Sequence, residues 1–249
     1  MIRPIRSLFN ELRNLVYPGR CVVCKVGVDQ GQVFCPDCDN SLSGLEKRAQ
    51  CLKCGAPLAE ELSPCQRCSG RGYRLFDQVV RLSTFESPYT ELIRRFKYYH
   101  GWGIGELLAE RAHQLPRVRR LLETTDVLVP VPLHPWRQMV RGFNQAQIFA
   151  ARIGRLSGLS VREVVIRIQN TPQQALLSAR ERVRNIRGAF EMIRPDQVQN
   201  RRVVIVDDVF TSASTLKEVA RVIRRACPVS ISVLTIAVAD PKGRDFGVV

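Results

Sequence analysis

Five apolar runs set the plan of this chain. Gln78–Phe85, Asp126–Val131, Val164–Ile168, Arg202–Asp207 and Ile231–Ala237 each read as a strand. Between them, apolar residues return at helical spacing over about Tyr89–Tyr98, Gly103–Leu115, Trp136–Leu156 and Leu216–Ala226. Strands alternating with helices predict a parallel, doubly wound α/β sheet within residues 75–245. At the other end, Ile5, Leu8, Phe9, Leu12, Leu15 and Val16 predict a short amphipathic helix within residues 1–18, stopped before Pro18.

The segment between these parts, residues 19–70, has too few apolar residues to fold by burial alone. It holds eight of the nine cysteines, as Cys21/Cys24, Cys35/Cys38, Cys51/Cys54 and Cys65/Cys68. Each pair is C-x-x-C, and ten residues separate the pairs within each half, so the segment reads as a duplicated four-cysteine unit. A tight turn lets C-x-x-C present two thiolates of a zinc tetrahedron, and two structural Zn²⁺ sites are expected. Disulfides fit poorly without an export signal, and an iron–sulfur cluster is the minor alternative. Spacing leaves sequential and interleaved pairing both open. Gly55, after Cys54, suits a knuckle that needs a positive φ. Ser69-Gly70-Arg71-Gly72 reads as a linker. Cys227, the ninth, ends an apolar helix face and is expected to be a small buried hydrophobe.

Charge narrows the partners. The formal net charge is +15, and residues 137–187 hold ten Arg, no Lys or Asp, and two Glu. Arginine grips phosphate bidentately, so a polyanionic partner is expected, although solvated helix faces account for part of the excess. No run of about 18 apolar residues predicts a membrane span. Arg3, Arg6, Glu11 and Arg13 interrupt any signal-peptide core, so a cytoplasmic location is expected.

The candidate chemistry gathers after the strand that begins at Arg202. Asp207 and Asp208 end the apolar run, Thr211, Ser212, Ala213, Ser214 and Thr215 follow, and a helical pattern starts at Leu216. Paired acids suit sugar hydroxyls or Mg²⁺, and a helix start offers N–H donors to a phosphate. The plainer reading is a buried strand and a helix with Thr215 as N-cap and Glu218 completing a capping box. Val127–Pro135 is a second strand running into a stiff turn, Pro130, Val131, Pro132 and Leu133, with Arg137 and Arg141 beyond it. His134, between prolines, reads more readily as a loop residue than as an acid–base catalyst. Ile93–Gly101 mixes cations with aromatics; it suits either nucleic acid or an ordinary half-buried helix. Gln169–Phe190, polar and rich in Gln and Arg, reads as a hood over a ligand or as a solvated helix.

Taken together, the four C-x-x-C pairs, Phe96-Lys97 with Gly101, Pro130-Val131-Pro132-Leu133, Arg141-Gly142-Phe143-Asn144-Gln145, the run from Gln174 through Arg182 to Phe190, and Val206-Asp207-Asp208-Val209 with Thr211 and Thr215 resemble the ComF family of phosphoribosyltransferase-like proteins. That family includes competence proteins and the relatives called GntX. The resemblance covers the whole chain. It implies a type I phosphoribosyltransferase-like parallel sheet with helices on both faces, behind a double zinc ribbon. It implies that Asp207 and Asp208 hold the ribose hydroxyls of phosphoribosyl pyrophosphate, through Mg²⁺, and that residues 211–215 hold its 5-phosphate. Pro130–Leu133 would hold the pyrophosphate, with Arg95, Lys97 or Arg141 helping, and Gln174–Arg182 would form the hood. The reaction implied is displacement of pyrophosphate by a nucleophile, and the competence relatives imply single-stranded DNA and DNA-uptake proteins as partners. One position departs from the pattern: Ala213 stands where the family carries glycine. A left-handed alanine costs about 1–2 kcal/mol.

Overall fold

The computed structural model describes residues 19–29, 31–61, 63–98, 101–169, 186–211 and 213–239. The expected helix in residues 1–18, the hood from Gln174 to Arg182, and Ser212 lie outside them.

The chain opens with β1 (Gly19–Arg20) and β2 (Gly27–Val28), an antiparallel pair around the first knuckle. A helix that the sequence reading did not anticipate, α1 (Pro36–Lys47), starts at the second cysteine pair, with Pro36 in its first turn and Cys35 before it. After the second four-cysteine unit come β3 (Gln78–Thr84), α2 (Tyr89–Tyr98), α3 (Trp102–Gln114), α4 (Pro116–Glu123), β4 (Val127–Pro130), α5 (Pro135–Arg141), α6 (Gln145–Ser157), β5 (Ser160–Val161), β6 (Val165–Arg167), β7 (Phe190–Met192), a 3₁₀ turn (Pro195–Gln197), β8 (Arg202–Phe210), α7 (Ser214–Arg224) and β9 (Ser230–Val238).

The main sheet has five strands in the order β3-β9-β8-β4-β5, every neighbouring pair parallel. Its strands alternate sides. Val203, Ile205, Ile231 and Val233 face α7, which contributes Leu216, Val219, Ala220 and Ile223 to one core. Val204, Val206, Leu234 and Ile236 face the opposite way, into a second core with Leu92, Phe96, Leu108, Leu121, Phe149 and Ile153 of α2, α3, α4 and α6. Both faces are therefore covered, which is why β8 is apolar on both faces from Val203 to Val206.

The two ribbons clamp the edge strand β3. On one side Leu42 and Leu45 of α1 join the second core. Beneath it lies a polar layer. Arg111 donates to Glu46 and to Asp39, both at 2.5 Å, Tyr89 Oη donates to Glu46, and Arg117 donates to the carbonyls of Glu46 and Leu82. On the other side the second ribbon takes the place of a helix. Arg81, fully buried, donates from Nε to the Gly55 carbonyl (2.8 Å) and from Nη2 to the Ala49 carbonyl (3.1 Å). Burial, then the charges of Arg117 and Arg48, pull its pKa down to about 9. The Val79 N–H donates to the Leu52 carbonyl.

Gly55 sets that approach. Its φ is +73°, and a Cβ there would lie 2.9 Å from Val79 Cγ1 and 3.0 Å from Val238 Cγ2. Gly55→Ala combines a left-handed alanine with an overpacked contact and is expected to cost about 3 kcal/mol in urea unfolding. A loss under 1 kcal/mol would mean that the ribbon shifts freely on the sheet. Likewise Ser69 to Gly72 is a packed turn, since a Cβ on Gly72 would meet Lys53 Cβ at 2.9 Å.

Four expectations need correction. The single helix over Trp136–Leu156 is two helices: Gly142, at φ +81°, closes α5 by donating its N–H to the Gln138 carbonyl, and Asn144 caps α6 through the Ala146 N–H. The strand over Val164–Ile168 lies outside the parallel sheet and pairs antiparallel with β7. The N-cap of α7 is Ala213 rather than Thr215. Cys227 is exposed, at φ +51°, not buried.

Candidate functional site

β8 outruns its apolar stretch. Asp207, Asp208 and Val209, all half-buried, extend the strand to the buried Phe210 at its carboxyl end. Each carboxylate folds back on the main chain: Asp207 Oδ1 accepts the Asp208 N–H (2.9 Å) and Asp208 Oδ1 accepts the Val209 N–H (2.7 Å). Thr235 of β9, buried, donates from Oγ1 to the Asp208 carbonyl at 3.0 Å and so fixes the strand from the side. Lys97, in the last turn of α2, places Nζ 2.9 Å from Asp208 Oδ2.

The two acids are electrically unlike. Burial, then the neighbouring charge of Asp208, pushes the Asp207 carboxyl well above the usual carboxylate range. Burial also raises Asp208, but the Lys97 ammonium and the Val209 N–H outweigh it and hold Asp208 low. Once Asp207 gives up its proton, two carboxylates with one adjacent ammonium leave negative charge for a cation, and their oxygens are the hard donors Mg²⁺ takes.

The neighbouring strand delivers the second loop. Val131 donates its N–H to the Val206 carbonyl at 2.9 Å, so Pro132 and Leu133 leave β4 beside Asp207. Asn144 Nδ2 donates to the Val131 carbonyl (3.0 Å) and ties that loop to the start of α6. Phe143 is buried and stacks on Phe96, while Arg141 lies over the Tyr98 ring and donates to Gln145. His134 Nδ1 accepts the Trp136 N–H, making it the cap of α5. Of the three expected helper cations, Lys97 meets the acids, Arg141 lines the neighbouring loop, and Arg95 is held by Glu91 at 2.7 Å on its own helix.

The start of α7 is packed more tightly than its composition suggests. Ala213 adopts φ +60°, ψ 0°, and is buried with Ser214 at the start of α7. The alanine thus occupies the left-handed position, and its methyl joins the core beside α7. Glycine there would relieve about 1–2 kcal/mol of backbone strain but forfeit about 0.8 kcal/mol of methyl burial and a similar amount of chain entropy. Ala213→Gly is therefore expected within about 1 kcal/mol of neutral, and Ala213→Val to lose at least about 2 kcal/mol, in thermal unfolding. A tolerated valine would show that the turn relaxes out of the left-handed region.

Three residues near the site carried no distinguishing sequence signal. Arg167 on β6 is buried over Phe190; burial, then Arg137, lowers its pKa to about 10, and Asp207 acts the other way. Thr235 sits in an apolar strand, and Arg67 sits inside a zinc knuckle. Elsewhere the basic cluster is partly spent on packing: Arg152 and Arg155 of α6 pair with Glu110 and Glu106 of α3.

The cysteines form two sequential groups, Cys21/24/35/38 and Cys51/54/65/68, with the sulfurs of each group within 4.8 Å of one another. Sγ pairs lie 3.6 Å apart for Cys24/Cys35, 3.7 Å for Cys51/Cys68 and 3.6 Å for Cys54/Cys65. A tetrahedron with Zn–S bonds of about 2.3 Å has edges of roughly 3.8 Å, so both groups fit Zn²⁺.

Residues 12–69 match a family model described as a double zinc ribbon domain. The chain is 32% identical over 216 residues to the DNA utilization protein YhgH of Escherichia coli strain K12, across 85% of this chain and 93% of that protein. It belongs to the ComF family. Another ComF-family relative, competence protein F of Haemophilus influenzae, is 28% identical over 212 residues, across 83% of this chain and 91% of that protein. Among solved structures, a purine phosphoribosyltransferase from Pyrococcus horikoshii aligns with a TM-score of 0.34 and 16% identity, over 57% of this chain and 75% of that one. No helix among the described residues of this ComF-family chain is long and apolar enough to cross a membrane.

Proposed function

We propose that this protein binds phosphoribosyl pyrophosphate with Mg²⁺ at the carboxyl end of β8 and serves the handling of DNA in the cytoplasm. The observation that carries the reading is the asymmetric pair Asp207/Asp208, one acid neutralised by Lys97 and one not, set between the Pro130–Leu133 loop and the start of α7. Asp207 and Asp208 hold the ribose hydroxyls and the cation. Thr211, Ser214 and Thr215, with Ser212 between them, receive the 5-phosphate, where the α7 dipole favours an anion. The loop from Pro130 through Val131 and Pro132 to Leu133 receives the pyrophosphate, with Lys97 and Arg141 at its border, and Arg182 belongs to the hood segment that the sequence resemblance implies. When bound, Mg²⁺ supplies positive charge to the departing pyrophosphate. The chain's own residues fix the ring and screen the charge that grows on the leaving group. Isothermal titration with phosphoribosyl pyrophosphate and MgCl₂ tests this; no heat at millimolar ligand would reject it.

A second reading is favoured by a separate observation. Tyr98, Trp102 and Trp136 are 49%, 58% and 57% exposed, with Arg141 over Tyr98 and the Arg137–Arg141 charge among them. Rings beside arginines suit single-stranded nucleic acid, by stacking and phosphate contact. Such binding falls steeply with salt as counterions leave. Affinity for a labelled oligonucleotide that is flat between 50 and 200 mM salt (about the range over which counterion release shows) would reject it.

A further inference from the structure

The second zinc ribbon touches the phosphate loop. Arg67 lies between the last two cysteines, Cys65 and Cys68, and its guanidinium leaves the ribbon altogether. Nη2 donates to the Thr211 carbonyl at 3.3 Å and Nη1 to the Ala239 carbonyl at 3.5 Å. Its Cζ lies 5.7 Å from the centre of the Phe210 ring. Thr211 is the first residue of the phosphate loop, and Ala239 follows β9, so one planar cation joins the ends of the two central strands. Tyr73, just past the ribbon, packs its ring 5.4 Å from Phe210, and Lys217 of α7 sits over that ring at 4.8 Å. Arg67 of the ribbon and Tyr73 at its exit thus both pack against Phe210, at the strand end that leads into α7.

A guanidinium is suited to this task. It is planar, always charged and able to bond two carbonyls while stacking on an aromatic face, none of which an ammonium reproduces. Its backbone is fixed only if Cys65 and Cys68 are. Both belong to the second four-cysteine group, whose geometry fits zinc, and without metal so small a module has little else to hold its turns. We propose that Arg67 is a positioning residue for the phosphate loop, so that metal in the second ribbon sets the affinity of Thr211 and the first turn of α7 for a phosphorylated pentose. The inference rests on the reading given under Proposed function.

The test uses the full chain and two probes that divide the site. Ribose 5-phosphate reports on the phosphate loop, and pyrophosphate with MgCl₂ reports on the acid pair and the Pro130–Leu133 loop. Arg67→Ala is expected to keep its zinc content and its Tm, to weaken ribose 5-phosphate tenfold or more, and to leave pyrophosphate affinity unchanged. Added guanidinium chloride at millimolar concentration restores part of the loss, and Arg67→Lys restores little. Hydrogen exchange of the amides in residues 213–217 quickens in Arg67→Ala, and in wild type when a chelator removes the metal, while Gln66→Ala leaves it unchanged. Wild-type affinity for ribose 5-phosphate in Arg67→Ala overturns the inference alone. So does an equal loss for both probes together with lost zinc, which would mark Arg67 as merely structural. Wild-type protein that binds neither probe overturns the functional reading and this inference together.

Discussion

Asp208→Asn is expected to weaken binding of phosphoribosyl pyrophosphate by roughly 100-fold or more, the worth of one or two charged hydrogen bonds, while the protein stays folded. The fold tolerates the change because the amide oxygen of asparagine accepts the Val209 N–H as Asp208 Oδ1 does. The ion pair with Lys97 is lost, but so is the repulsion between two neighbouring acids. Titration calorimetry and thermal melting on the same sample separate the two effects. A collapsed melt accompanying the lost binding would remove the ligand interpretation, since the acid would then be holding the strand end together.

The same pair gives the binding a pH dependence with a definite sign. Asp207 is raised, so the folded protein holds a proton that the unfolded chain has released. Its contribution to stability is fully present below the unfolded carboxyl pKa and is lost as pH rises through the folded value. A cation needs the deprotonated form, so affinity for Mg²⁺ with phosphoribosyl pyrophosphate rises over that same window and binding releases a proton. Asp208 moves the other way, being held low once Lys97 and Val209 have outweighed its burial, and stays charged throughout.

How much of this could be read from residues alone depends on what each signal encodes. Four of the five strands of the main sheet were legible because a strand covered on both faces is largely apolar, as β8 is up to Val206 and β9 is from Val233; β5, only two residues long at the sheet edge, was not. β6 was legible as a strand but not as an antiparallel one, since pairing direction is decided by where the chain returns, and β7 lies beyond the Gln- and Arg-rich segment. The break at Gly142 was written in the sequence as a glycine two residues before an asparagine, a helix stop followed by a helix start, yet the apolar spacing runs through it. The acid pair and its loop were legible as chemistry. Their charge state was not, because Lys97 reaches Asp208 from 111 residues earlier in the chain. Nor was the docking of the ribbon, which rests on one glycine without a side chain and on Arg81 reaching main-chain carbonyls, contacts that leave no compositional trace.

That docking makes metal removal the change with the widest reach. Chelation is expected to unfold both ribbons and to bare the β3 edge: Val79 and Val238 lose the cover of Gly55, and Arg81 exchanges the Gly55 and Ala49 carbonyls for water. Structural zinc in small modules is worth on the order of 10 kcal/mol of apparent folding energy, far beyond any single contact here. β3 amides are expected to exchange rapidly after chelation, while those of central β8, flanked by β4 and β9, remain protected. The two sites should also differ. Cys54 is fully buried and its ribbon lies against the sheet, whereas Cys24 is exposed on the first knuckle. Cys54→Ser is therefore expected to cost on the order of 4 kcal/mol, about 10 °C in Tm, and Cys24→Ser less than half of that. Equal losses for the two variants, or equal exchange of β3 and β8 in the chelated protein, would mean that the ribbons stabilise the sheet as one undivided unit rather than through the edge that they clamp.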